Sequence, residues 1–301
     1  MAILSDFHLH SFFSADSDTP MEDQVRAAIK AGLSSICFTE HFDPDWPYAN
    51  TPKEDLGAPF SVDMKAYLAE LSRMRELYGD QIRIFSGIEV GLAEGFEKET
   101  LSFVNDHREL DFLIGSVHSC HHGDPYYPDF FAGASVAERV WNCFAHTLDM
   151  VQRYDFFQSL GHLDYVLRYA IQQEDPELLS FLNRKGQSYG SYCFAANRDV
   201  IEEILRILIA RGTALEVNTQ AIAKAAGADS SDLSIYRETN PGRDTILLYR
   251  ELGGRKITIG ADAHMPEGVG KGFDKAEALL RSCGFNSYTT FEKKAPMVHP
   301  L

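Results

Sequence analysis

The sequence predicts an α/β fold, a parallel (β/α)7 barrel, on three observations. Short apolar, β-branched segments alternate with helical ones seven times, each pair separated by a loop. Most of the apolar segments end, on their C-terminal side, in histidine or a carboxylate. The chain's 301 residues, 45% of them hydrophobic, suffice for one large core, so residues 1–301 read as a single domain.

The first strand is placed at residues 3–10. Alternation along a strand would put His8 and His10 on one face with Asp6 in line behind them. A polar loop carrying Asp16 follows. Thr19 as cap and Pro20 at the first helical position then open a helix with Val25, Ala28 and Ile29 at helical spacing and Gly32 as its stop. Residues 35–39 form the second strand, tipped by Glu40 and His41. Residues 42–61, rich in proline and acids, read as a loop over the barrel mouth. A helix over 62–78 leads to a strand over 81–90 with Glu89 near its end, and a helix over 94–107 to a strand over 112–118 ending in His118.

Residues 119–134 hold His121, His122 and the aromatics Tyr126, Tyr127, Phe130 and Phe131, and read as a lid or pocket wall. A helix over 135–153 precedes a strand over 157–164, tipped by His162; residues 165–189 are less regular and partly helical. An amphipathic helix over 199–211 stops at Gly212. Strand 214–218, helix 243–252, strand 256–264 with Asp262 and His264, helix 274–283, a short strand over 287–291 and a polar tail complete the order.

The formal charge of −16 disfavours nucleic acid and anionic membrane as partners, while leaving room for a local pocket for a small anion. Five scattered cysteines without CxxC spacing, no leader-like N-terminus and no membrane-length apolar run read as reduced thiols in a cytoplasmic protein.

In a parallel barrel all C-terminal strand ends share one face, so His8, His10, His41, Glu89, His118, His162, Asp262 and His264 converge there, with Asp16 close by. Each alone admits a plain reading: Asp16 as a solvated acid, His162 as a core histidine, His41 as a cap partner. Together, nine nitrogen and oxygen donors exceed what one ion needs and suggest two or three divalent cations bridged by a carboxylate or hydroxide. The donor set accepts zinc, manganese, iron or cobalt. His107, His121, His122, His146 and His299 fall on helices, loops or the tail and take no role, although His121 lies close to His118.

His8-Leu-His10, Thr39-Glu40-His41, Gly87-Ile-Glu89, Gly115-Ser-Val-His118, Gly161-His162-Leu-Asp164 and Gly260-Ala-Asp262-Ala-His264 together resemble the PHP (polymerase and histidinol phosphatase) superfamily, and within it the stand-alone histidinol-phosphate phosphatases. The resemblance spans nearly the whole chain. It implies a distorted (β/α)7 barrel with three metal ions: one held by His8, His10, Glu89 and Asp262, a second bridged by Glu89 and held by His118 and His162, a third held by Asp16, His41 and His264. Asp6 and Glu40 fall outside that set and read as orienters of the imidazoles.

The expected chemistry is hydrolysis of a small phosphomonoester by a metal-bridging hydroxide attacking phosphorus in line, with no covalent phosphoenzyme. Arg168 and Arg198 are candidates for the phosphate clamp, and Lys224 for the place of a family arginine. Asp43, Asp45, Asp124 and the lid aromatics are candidates for the amine and imidazole of L-histidinol phosphate. Competing expectations are another phosphomonoester, such as a nucleotide, sugar phosphate or phosphotyrosine, and a non-catalytic metal-binding regulatory module. An amidohydrolase-type barrel normally places a carboxylated lysine on its fourth strand, and residues 112–118 contain none.

Overall fold

The computed structural model describes residues 3–173, 188–226 and 236–301. Seven parallel strands pair in sequential order: β1 (Ser5–Leu9), β2 (Ser35–Phe42), β3 (Arg83–Gly91), β4 (Phe112–Ser116), β5 (Ser159–Leu160), β6 (Ala214–Asn218) and β7 (Ile257–Gly260). Between β7 and β1 the barrel closes on a single bridge, Leu9 with Ala263, and on two backbone bonds just beyond β7. Asp262 N–H donates to the His8 carbonyl (2.8 Å) and His10 N–H to the Ala263 carbonyl (3.0 Å). The predicted seven-stranded α/β barrel is therefore present, and distorted at this seam and at the two-residue β5.

The helices α1 (Met21–Lys30), α2 (Met64–Tyr78), α3 (Glu97–Asp106), α4 (Val136–Arg153), α5 (Leu167–Ala170), α6 (Tyr189–Arg211), α7 (Gln220–Lys224), α8 (Arg243–Glu251) and α9 (Phe273–Ser282) complete the β/α units. Their apolar faces, with Val25, Leu71, Met74, Val140, Phe144, Ile204 and Leu208 fully or almost fully buried, cover the outward-facing strand residues Ile36, Phe38, Ile88 and Val90. A second, smaller apolar cluster, Phe7, Cys37, Phe85, Phe112, Ile114, Ala214 and Phe291, includes residues from β1, β2, β3, β4 and β6. Fully burying side chains of this size contributes about 1.5–3 kcal/mol each.

The structure corrects several local expectations. β1 does not alternate strictly: Asp6 pairs with Ile36 and Leu9 with Phe38, so three steps on β1 match two on β2. The extra residue is a bulge. It lets Phe7 join the lower cluster while His8 and His10 face the mouth, and it removes Asp6 from their row. Asp6 instead accepts from the backbone N–H groups of Ala261 (2.9 Å) and Gly270 (3.0 Å), so it anchors the loop after β7 and orients no imidazole.

Helix α1 starts one residue later than predicted, and the Thr19 hydroxyl does not cap it but donates to the His264 carbonyl (2.7 Å). Helix α6 begins at Tyr189, well before residue 199, with a break at Asn197. Of the irregular stretch 165–189, residues 174–187 lie outside the described residues.

The predicted short strand is present as β8 (Ser287–Glu292), but the expected polar tail after it is a strand, β9 (Ala295–Pro300), which pairs with β8 in an antiparallel hairpin. Its Phe291 ring stacks on Phe112 at 5.3 Å. The Tyr288 hydroxyl accepts from the Leu4 N–H, so the hairpin closes the N-terminal end of the barrel.

The prediction of five reduced thiols is also corrected. Cys120, after β4, and Cys143, on α4, form a disulfide with Cα atoms 5.4 Å apart, while Cys37 and Cys283 are buried thiols. The pair is 23 residues apart in sequence and becomes adjacent because the loop after β4 folds onto α4. Among the described residues no helix is long and apolar enough to cross a membrane.

Candidate metal centre

The strand register delivers the site. His41 on β2 stands opposite Glu89 on β3, and β1 and β4 bring His8, His10 and His118 around them. Gly260 allows the approach of β1 to β7, since a Cβ there would overlap the His8 Cβ. Just past it, Asp262 adopts a left-handed φ of 52°, a conformation costly for a residue with a Cβ. The surroundings hold it there: besides the bond to the His8 carbonyl, the Gln220 side-chain amide donates to the Asp262 carbonyl at 2.8 Å.

Glu89 is the hub, buried to 1% exposure. Its Oε2 lies 2.9 Å from His8 Nε2 and 3.4 Å from both His10 Nε2 and His41 Nδ1. Its Oε1 lies 2.9 Å from His162 Nε2 and 3.2 Å from His118 Nε2, and accepts from the Ser116 hydroxyl at 2.6 Å. One carboxylate thus presents each oxygen to a separate set of imidazoles. Asp262 Oδ1 faces His10 Nε2 (3.5 Å), His264 Nδ1 (3.6 Å) and His8 Nε2 (3.8 Å). Asp16 Oδ2 faces His264 Nε2 (3.0 Å) and His41 Nε2 (3.5 Å).

Two donors on a tetrahedral or octahedral ion with bonds of about 2.1 Å are about 3.0–3.4 Å apart. The nitrogen–oxygen separations above scatter around that interval. Several of these buried atoms, His10 Nε2, His41 Nδ1 and His264 Nε2, have no hydrogen-bond partner, a costly state for buried nitrogen unless a cation takes the lone pair. Four overlapping groups, His8–His10–Asp262, His8–Glu89–His162, His10–His41–His264 and His41–Asp43–His118, have their donor atoms close enough to share an ion. All nine residues drawn from the sequence meet here, and they fit divalent cations.

Neighbouring side chains fix the imidazole tautomers. His8 Nδ1 donates to Glu216 Oε1 (2.6 Å) and His118 Nδ1 to Asp43 Oδ1 (2.7 Å). His10 Nδ1 donates to the Ser14 hydroxyl (3.0 Å), which itself donates to Glu40 (2.6 Å). Each bond leaves Nε2 turned into the cluster with its lone pair available. Glu40 therefore does orient an imidazole, through Ser14.

Sequence reasoning missed Glu216, whose other oxygen also accepts from the His162 N–H (2.8 Å). An acid in the middle of the apolar strand Ala-Leu-Glu-Val was the available signal. Asp43, expected to face substrate, is taken up by His118.

Without cations, burial opposes charge on every one of these groups, and at most of them the opposite charges packed together outweigh it. Glu89 is pushed up by burial but held well below the usual carboxylate range by His8, His118 and His41. Burial lowers His118, yet Asp43 and Glu89 raise it to about 10. His10 goes the other way: burial and its neighbours His264 and His41 hold it below the usual histidine value.

The two arginine candidates separate. Arg168 is buried beside the cluster: its Nη1 bonds Gln220 (2.9 Å) and Asp262 Oδ2 (3.2 Å), Nη2 bonds Asn218 (2.9 Å) and Nε bonds Asn240 (2.8 Å). Arg198 is exposed on α6 and pairs with Glu202 one turn on, so nothing turns it toward the site, contrary to expectation. The Lys224 ammonium, on the exposed surface of α7, is lowered by burial of its charged end and by Arg168, with Asp262 and Asp16 opposing.

The segment over the mouth also takes shape. Phe60 packs edge-on to His41 at 5.3 Å, and Ser119 donates to Asp45. Asp124 is pushed by burial to about 7. Phe130 and Phe131 are buried, whereas Tyr126 is exposed.

Fold and site together define a parallel β/α barrel with a divalent-metal centre at the C-terminal ends of its strands. The model of the PHP domain matches residues 6–220, and the chain belongs to that family. The histidinol-phosphatase of Lactococcus lactis subsp. lactis (strain IL1403) is 32% identical over 95% of this chain and 93% of its own length. That of Bacillus subtilis (strain 168) is also 32% identical, over 92% and 98%. The fold superimposes with a TM-score of 0.79, at 30% identity and covering 98% of this chain and 99% of the other, on the crystal structure of histidinol phosphate phosphatase from Lactococcus lactis complexed with zinc, L-histidinol and phosphate.

Proposed function

We propose that this chain is an L-histidinol-phosphate phosphatase working with three divalent ions, zinc among the candidates. The observation that carries the reading is Glu89, whose two oxygens face two separate imidazole sets in a chain similar over its whole length to a phosphatase that holds zinc, histidinol and phosphate. His8, His10, Glu89 and Asp262 would hold one ion, Glu89, His118 and His162 a second, and Asp16, His41 and His264 the third. When bound, the ions supply a water acidic enough to be a nucleophile near neutral pH and positive charge for the phosphoryl oxygens.

The protein's own groups prepare that chemistry. Glu216, Asp43 and Ser14 keep the imidazoles in the donating tautomer, and Arg168, bonded to the Asp262 carboxylate, would bring a permanent positive charge to the phosphoryl group. In the net reaction water adds to phosphorus, the ester P–O bond breaks, and the leaving oxygen takes a proton to give L-histidinol and inorganic phosphate. Asp124 and Asp45, both buried, are the candidates that would receive the cationic amine and imidazole of the leaving group. Steady-state kinetics on the zinc- or manganese-loaded protein, comparing histidinol phosphate with nucleotide, sugar-phosphate and phosphotyrosine esters, tests the reading. A kcat/KM for histidinol phosphate no higher than for the panel would remove the substrate, and absence of any hydrolysis would remove the enzyme.

A further inference from the structure

Away from the barrel mouth, three more metal-type side chains converge where the lid loop meets α4. Glu94 follows β3, His121 is in the loop after β4, and His146 is on α4; one donor atom from each lies within 4.8 Å of the others. His121 Nδ1 and Glu94 Oε2 are 4.0 Å apart, and the His121 and His146 rings meet edge-on with centroids 4.8 Å apart. None of these residues belongs to the four groups at the mouth.

His146 gives the cluster its meaning. It is 3% exposed, and neither of its ring nitrogens has a hydrogen-bond partner. An imidazole buried this way forfeits its hydration unless something takes its lone pair. Burial, with His121 beside it, holds the ring down to about 4, so it is a neutral donor at physiological pH. The backbone is committed as well: His121 and His122 both adopt left-handed φ angles, 51° and 64°. The disulfide joins Cys120, next to His121, to Cys143, one turn before His146, and so tethers the two ligand-bearing segments. Arg153 lies 3.7 Å from Glu94 Oε1, but Oε2 is the oxygen that faces His121.

We infer that Glu94, His121 and His146 form a second, peripheral site for a single divalent cation of the zinc class, with a fourth position left to water, which fastens the lid loop to α4. Two imidazoles and one carboxylate are an ordinary zinc donor set, and modest side-chain rotation closes the remaining gap to bonding distances.

The test uses zinc-loaded full-length protein. Anomalous diffraction on both sides of the zinc edge should show a peak between Glu94, His121 and His146, separate from those at the barrel mouth. In solution, zinc competition against a chromophoric chelator should lose one equivalent in His121→Ala and in Glu94→Gln, or show that equivalent bound roughly 100-fold more weakly. The His121 side chain is exposed and that of Glu94 half-exposed, so neither variant removes core packing. Phosphatase turnover at saturating zinc should be unchanged, because the mouth cluster keeps all its donors. An absent anomalous peak, or equal zinc stoichiometry and affinity in wild type and both variants, would overturn the proposal, and neither result depends on which ester is the substrate.

Discussion

On β3, Phe85 and Glu89 stand four residues apart on the same face of the same strand; one is packed among Phe7, Phe112 and Phe291, the other among five imidazoles. β2 repeats the contrast with Cys37 and His41, and β6 with Ala214 and Glu216. Period-two alternation places all of these side chains inside the barrel, so geometry does not distinguish the two levels. Composition does. The lower level excludes water and contributes transfer free energy, while the upper level buries charges that balance one another and that cations would stabilise further. The barrel is therefore a stability device at one end and a chemical device at the other, and substitutions at the two levels should fail differently.

The largest separation is expected at Glu89. Glu89→Gln keeps the shape and removes the charge that faces both imidazole sets, so kcat/KM should fall by more than the ~100-fold upper figure for a residue that only orients a ligand. Bound metal, measured by elemental analysis, should fall with it. A variant retaining both full metal and full activity would deny the hub. At the lower level, Phe112→Ala should cost about 3–5 kcal/mol of unfolding free energy in urea while leaving metal stoichiometry intact in the folded fraction.

Between these lies Glu216, which touches a ligand without being one of the nine. Glu216→Gln retains an acceptor for His8 Nδ1–H but no charge, and should lower metal affinity or turnover about 10–100-fold. Rescue of turnover by excess zinc would separate weakened binding from a chemical defect.

Much of this contrast was legible in the sequence. Strand tips carrying His8, His10, His41, Glu89, His118, His162, Asp262 and His264 announce themselves because a parallel barrel gathers them on one face. What escaped depends on information outside a single strand. The β1 bulge, which turns Asp6 away from the histidines, is a mismatch between two strands and leaves no mark on either alone. Asp43 becomes the partner of His118 only after residues 42–61 fold over the mouth. Arg168 and Arg198 look alike in sequence; one is drawn inward by Asn218, Gln220, Asn240 and Asp262, and the other is satisfied by Glu202 on the surface of α6. β9 replaces an expected polar tail, and its Met297 packs against the apolar cluster at that end of the barrel, a contact that only the folded hairpin brings about.

The mildest expected effect comes from protons, and it distinguishes the upper level from an ordinary buried salt-bridge network. In the metal-free protein His118 is raised to about 10 and Asp43 lowered to about 2, each chiefly by the other against burial. A histidine raised by folding contributes stability below its unfolded value near 6.5, and that contribution is lost as pH climbs toward 10; the lowered aspartate contributes above its unfolded value near 3.8, and is lost as pH falls toward 2. The pair therefore contributes most between about pH 4 and 6.5, and Asp43→Asn should flatten the decline of the chelated protein's denaturation midpoint between pH 7 and 10. With metal present the sign reverses. A cation at His118 must displace the proton, so zinc affinity should rise with pH over the same interval, by about tenfold per unit for each proton released. Calorimetry of zinc binding in buffers of different ionisation enthalpy counts those protons. A count of zero at pH 8 would mean that His118 is already neutral, and that its bond to Asp43 fixes orientation without holding charge.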